Sequence, residues 1–140
     1  MEIIANALQT VNSNQNILFT DTVVGCSSSL LHRDGSGLVT LKGNTSTQCR
    51  ARYRVSFGGN VALPTGATIA PISVAISING EPVAATTMIS SPIAVEEFNN
   101  IFSAVFIDVP RGCCFNVSVR NITDQAIEVQ NANLIVERVA

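Results

Sequence analysis

The chain has 140 residues, 13% of them charged and 46% hydrophobic, with a formal net charge of −2. This length predicts one domain over residues 1–140, with a core that needs no metal or disulfide, and the near-neutral balance excludes a global field toward nucleic acid or a membrane surface. The charged share is about half of the usual ~25%, so the surface must be built from Ser, Thr, Asn, Gln and Gly.

The opening Met1-Glu2-Ile3-Ile4-Ala5-Asn6 has no basic region and no long apolar run, so no signal peptide is predicted. Nor is any apolar stretch long enough for a membrane helix. The expected route is synthesis in the cytoplasm and, for any passage to an outer surface, travel as part of a particle, by lysis or by a non-Sec route. Residues 4–11 and 16–24 read as strands around the polar turn Asn12-Ser13-Asn14-Gln15. Residues 25–29 form a loop of small residues, 30–33 a short strand, and Asp34-Gly35-Ser36-Gly37 a tight turn. Residues 38–42 alternate again.

The stretch from Cys49 to Phe57 has the clearest two-faced pattern. Cys49, Ala51, Tyr53, Val55 and Phe57 share one side of a strand, and Arg50, Arg52, Arg54 and Ser56 the other. Three of the eight basic residues thus lie on one strand face. Either that face is solvated, or the arginines meet Asp108, Glu137 or a neighbouring subunit's carboxylate, since gathered like charges repel unless paired. Gly58-Gly59-Asn60 is expected to end the strand.

In residues 72–78, Ile72, Val74, Ile76 and Ile78 alternate with Ser73, Ala75 and Ser77. Asn79-Gly80 then supplies a type I′ turn and 81–88 returns as a hairpin, its Ser/Ala face toward solvent. Residues 91–100, with Pro92 and Glu96-Glu97, read as a loop. In residues 101–109, Phe102, Ala104 and Phe106 lie on one side, and Ile101, Val105 and Ile107 on the other. Both faces need cover. One cover is a second sheet; in a chain without helices the simplest other cover is another subunit. The expected contact residues are Phe102, Ala104, Val105, Phe106, Ile135 and Val136. Strands at 115–120, 126–130 and 134–139 complete the chain. About ten strands and no helical periodicity predict an all-β antiparallel sandwich.

No residue set predicts catalysis, a metal site or a cofactor. The single His32 has no Gly-x-Ser-x-Gly elbow to serve and reads as a surface or turn residue. The adjacent Glu96 and Glu97 diverge in an extended chain, and Asp34–Gly37 has neither the acidic residues of a calcium loop nor the lysine of a phosphate loop. Cys26, Cys49, Cys113 and Cys114 match no zinc spacing. Their first reading is reduced, buried thiols. A bridge from Cys49 or Cys26 to one of the adjacent pair, or a vicinal bridge between Cys113 and Cys114, is the alternative. Three Asn-x-Ser/Thr sequons, at Asn44, Asn116 and Asn121, are expected to be coincidental without a signal peptide.

The order of these strands resembles the jelly roll of the tumour necrosis factor and complement globular-head superfamily. The resemblance is carried by Ile17-Leu18-Phe19, by Tyr53-Arg54-Val55-Ser56-Phe57 and by Phe106-Ile107-Asp108-Val109-Pro110-Arg111-Gly112. The stretches 32–37, 49–60 and 129–138 also resemble small uncharacterised proteins of Gram-positive gut bacteria and their prophages. These resemblances imply a jelly-roll homotrimer meeting along a three-fold axis. They further imply a non-enzymatic structural role: decorating a phage-like particle, bound to a capsid or other particle-surface protein, and ending on a virion or spore surface. The alternative is a receptor- or glycan-binding adhesion module, a fibre knob or spore-surface protein with a cell-surface glycan as partner. Neither reading involves nucleic acid or membrane insertion.

Overall fold

The computed structural model describes residues 1–25 and 27–140; Cys26, and with it any bridge to that residue, lies outside the described residues. Among the described residues there are twelve strands: β1 Glu2–Ala5, β2 Gln9–Val11, β3 Asp21–Val24, β4 Leu30–His32, β5 Val39–Lys42, β6 Arg50–Ala62, β7 Ile72–Ile78, β8 Glu81–Pro82, β9 Met88–Ser90, β10 Asn99–Pro110, β11 Cys114–Asn121 and β12 Ile127–Arg138. They build two antiparallel sheets. The first runs β10-β6-β12-β1-β3, with β2 also on β12; the second runs β4-β5-β11-β7-β8, with β9 also on β7. From β6 to β7 and from β10 to β11 to β12 the chain crosses between sheets, as in a jelly roll.

Period-two alternation fixes which residues enter the core. On β6, Ala51, Tyr53, Val55 and Phe57 are fully buried while Arg50, Arg52 and Arg54 point outward. Leu134 and Val136 of β12 and Val117 and Val119 of β11 meet them from the two sheets. Phe19 and Phe57 pack edge to face with ring centroids 6.4 Å apart, a geometry the aromatic quadrupole favours. The Tyr53 hydroxyl donates to the Lys42 carbonyl at 2.5 Å, so the one polar atom of this large core residue is paired.

Several expected boundaries move. The strand expected over 4–11 is split into β1 and β2, which pair with different parts of β12. Within 16–24 only Asp21–Val24 is a strand, yet Ile17 and Phe19 are fully buried, because Phe19 is held in a loop by backbone hydrogen bonds to Gly35 and Ser36. The glycines at 58 and 59 lie inside β6. A β-carbon on Gly59 would stand 3.2 Å from the Phe57 ring and 3.4 Å from the Ala132 backbone, tighter than most β-carbons have, so crowding within the sheet and not a turn accounts for glycine there. The last two expected strands form a single β12, with the register shift between Gln130 and Asn133 and Asn131 at φ 55°. That combination is a bulge.

The Asn79-Gly80 turn forms as expected, with φ of 51° and 86°. Its returning arm does not: β8 is two residues long, then a 3-10 turn spans Ala84–Thr86 before β9. The supposed solvent face of β7 is nevertheless closed to solvent at Ala75 and Ser77, both fully buried. Thr86 closes the strand's edge. Its hydroxyl accepts from the Ile76 N–H at 3.0 Å and donates to the Val83 carbonyl at 2.7 Å. Arg120, opposite Ala75 in the ladder, runs over the same face to the carbonyls of Asn14 and Gly80.

Candidate interaction face

The outer face of the first sheet is set by the long β10–β6–β12 ladders. β10 and β6 pair without a break from Asn99↔Val61 to Pro110↔Arg50. Reading across the three strands gives outward rungs Phe102–Gly58–Asn133, Ala104–Ser56–Ile135 and Phe106–Arg54–Glu137. Phe102 is 62% exposed, Phe106 63% and Ile135 38%; Phe98, just before β10, is 37% exposed. Phe102 stands across from Gly58 and Ala104 from Ser56, which makes a shallow strip, while Phe106 stands across from Arg54; both rings remain largely exposed. A soluble chain rarely leaves two phenyl rings exposed on one strand face without a use for them.

Two of the six expected contact residues are corrected. Val136 is fully buried and Val105 packs partly buried against the core. Both are in register with the buried Val55, so this rung points inward and packs the protomer's own core. The odd and even residues of β10 therefore have separate duties: Ile101, Val105, Ile107 and Val109 face the second sheet, and Phe102, Ala104 and Phe106 face out.

The five charged residues lie together along the lower rungs of the same face. Arg52 forks onto Asp108 with bonds of 2.7 and 3.0 Å, and Arg50 stands 3.6 Å from the same carboxylate. Arg54 is 3.5 Å from Glu137. The two-pronged Arg52 bond, with the nearby positive charges, holds the Asp108 carboxyl below its ordinary range and raises the Arg52 guanidinium. These pairs are exposed; they order the edge of the apolar strip and contribute little to stability.

One further pair carries no signal in the sequence. Glu128 of β12 meets Glu96 of the β9–β10 loop. Burial first, then the neighbouring Glu96 charge, pushes the Glu128 carboxyl up. Glu96 adopts a left-handed backbone (φ 60°) and accepts from the Thr65 N–H and hydroxyl at 3.2 and 3.0 Å. The two residues are 32 positions apart in the chain, so only the fold brings them together.

The remaining candidates fall apart as chemistry. His32 is not on the surface: its side chain is buried, Nδ1 lies 3.2 Å from the Leu38 carbonyl, and Nε2 stands 4.0 Å from Asp34. Cys49, Cys113 and Cys114 are free and exposed, which corrects the expectation of buried thiols. They sit at strand starts and turns, where the alternation that buries Tyr53 and Val117 does not reach. Among the described residues no group of three His, Cys, Asp or Glu side chains could hold a metal ion. An open cleft of about 540 Å³ lies between the β6–β7 and β11–β12 loops, lined by Thr68, Ser73, Thr123, Asp124 and Gln125 among others. It has no aromatic wall.

No family model matches the sequence, and no curated protein matches it. The resemblance to small bacterial and prophage proteins therefore finds no support in these comparisons. Solved structures do match. The globular domain of the zebrafish complement 1qA protein superposes with a TM-score of 0.63 at 11% identity, over 96% of this chain and 93% of that one. The crystal structure of murine APRIL at pH 5.0 superposes with a TM-score of 0.56 at 10% identity, over 95% and 96%. The fold is thus a tumour necrosis factor/complement-head-like jelly roll along nearly the whole chain.

Proposed function

We propose that this chain is a non-enzymatic structural subunit that assembles as a homotrimer, through the outer face of its first sheet, on the surface of a phage-like particle or spore. The observation that carries the reading is the pair Phe102 and Phe106, each more than three-fifths exposed on one strand face, with Gly58 across from Phe102 and Arg54 across from Phe106. Removing apolar surface from water stabilises association by roughly 25 cal/mol per Å² before the ordering costs of binding. Three copies converging on one axis also give the flanking Arg50, Arg52 and Arg54 a reason to be neutralised at home by Asp108 and Glu137, since unpaired arginines around an axis would repel. The shared fold with the complement 1qA globular domain and APRIL is compatible with this reading.

Light scattering of the purified chain in solution tests the assembly. The expected result is a trimer that becomes a folded monomer in the Phe102→Glu/Phe106→Glu variant. A wild-type monomer at micromolar concentration sinks the assembly. Density-gradient fractionation of the producing bacterium then tests the location, which should be the particle or spore fraction; recovery only as free protein in the cytosol removes the decoration role.

The cleft between the β6–β7 and β11–β12 loops favours a second reading, glycan binding, because its hydroxyls, amide and carboxylate suit sugar hydroxyls. Binding on a glycan array that Asp124→Ala abolishes would put this reading first.

A further inference from the structure

The three described cysteines lie at one end of the sandwich. The Cys49 carbonyl accepts from the Arg111 N–H at 3.0 Å, the Cys113 carbonyl accepts from the Gly43 N–H at 2.8 Å, and Cys114 stands opposite Lys42 in the β11–β5 ladder. All three are exposed and free, although cysteine is among the residues most often buried. The same end carries a charge surplus. Lys42, Arg50, Arg52, Arg111 and Arg138 lie at this end with a single acidic side chain, Asp108, which pairs with Arg50 and Arg52. The rest of the chain holds three cations and nine acidic residues. Arg111 spends its donors on the carbonyls of Thr45 and Ser46, and Arg138 on Asn44, the Ser29 hydroxyl and the Ala140 oxygen. The Arg111 acceptors fix its guanidinium group but leave its charge uncancelled. The next rung up, Arg54–Glu137, is already neutral.

We propose that this cationic end is a thiol–disulfide exchange site for small disulfides bearing carboxylates, oxidised glutathione being the simplest probe, and that Cys49, Cys113 and Cys114 accept the anionic half as a mixed disulfide. The cysteine thiol loses its proton to solvent, and the thiolate attacks one sulfur of the small disulfide. That S–S bond breaks as the new one forms, and the second half leaves as a thiolate. The small disulfide is itself the oxidant. Clustered positive charge raises the local concentration of the anionic reagent. The site uses strand ends and not the apolar face, so it stands whether or not the chain assembles.

The folded chain is incubated with oxidised glutathione, with the neutral 2-hydroxyethyl disulfide and with the cationic cystamine, and adducts are counted by intact mass and located by peptide mapping. Initial rates are normalised to those of the urea-unfolded chain, which removes the intrinsic reactivity of each reagent. At low salt the anionic disulfide is expected to be preferred over cystamine by about threefold to tenfold, a preference lost at about 0.5 M salt. Lys42→Gln/Arg50→Gln should reduce the preference at low salt; neither side chain holds a buried partner, and the salt comparison stands on the wild-type chain should the variant fail to fold. Equal rates for the three reagents, a preference for cystamine, or adducts confined to Cys26 would overturn the proposal.

Discussion

The outer faces of the two sheets begin from the same pattern and end differently. On β7 the outward residues are small: Ala75 and Ser77 are fully buried, Arg120 runs across the same face, and the 84–86 turn closes the edge of the strand. On β10 the outward residues are Phe102, Ala104 and Phe106, and no part of the described chain returns to cover them. Small side chains let a long neighbour such as Arg120 lie across them; phenyl rings stand clear of the sheet. The first face is therefore finished within the protomer, and the second presents area that only another molecule can remove from water.

The sharpest way to break this contrast is to compare two phenylalanines of the first sheet. Phe57→Ala removes a ring with no exposure and should cost about 3–5 kcal/mol in denaturant unfolding, the usual range for an emptied aromatic site. Phe106→Ala should leave the unfolding of an isolated protomer within about 0.5 kcal/mol of wild type. If copies assemble, the same substitution should lower the melting temperature only at protein concentrations where wild type is oligomeric. Equal losses for the two rings at high dilution would mean that Phe106 is already packed within its own chain.

The covered face has its own test. Ser77→Leu adds bulk on this face, where Ser77 is fully buried and its hydroxyl has no partner. Overpacking should cost about 1–3 kcal/mol. Thr86→Val keeps the shape but strands the Ile76 N–H, a loss of about 1–3 kcal/mol, and should speed amide exchange at Ile76 and Val83 before the rest of β7. Unchanged exchange there would mean that the turn is not what closes this edge.

How much of this was legible beforehand depended on periodicity. The alternation of 49–57 and 72–78 is strong enough to place Tyr53 and Ile76 on the correct side of a strand without coordinates, and that of 101–109 separates Phe106 from Val105 onto opposite sides. Pairing of the arginines with Asp108 or Glu137 is one of the two readings the sequence leaves open, beside a solvated face. Three things were not legible. Gly58-Gly59 reads as a turn, since the closeness of Ala132 and Phe102 is a property of other strands. Ser73-Ala75-Ser77 reads as a solvent face because the Arg120 side chain that crosses it comes from another strand. Val136 reads as a contact residue because a run of Leu134-Ile135-Val136 is apolar on both sides, and only the register with Val55 decides which side faces out.

The smallest expected effect is a pH dependence of opposite sign at the two carboxylates that the fold perturbs. Asp108 is held down by Arg52, so its contribution is present above the ordinary aspartate range and is lost as pH falls through the lowered folded value. Glu128 is pushed up by burial and by Glu96. Its protonated form is the one the fold prefers, so its contribution is complete below the ordinary glutamate range and is lost as pH rises through the raised folded value. Glu128→Gln imitates the protonated carboxyl at every pH. The variant should therefore melt above wild type at neutral pH, and the difference should close as both are brought to acid, where wild-type Glu128 takes up its proton. Asp108→Asn should do the reverse and melt slightly below wild type at neutral pH, converging on it only in stronger acid. A Glu128→Gln gain that persists unchanged into acid would mean that relief of packing, and not of charge, is what the substitution supplies, and the Glu96–Glu128 contact would then carry no proton between them.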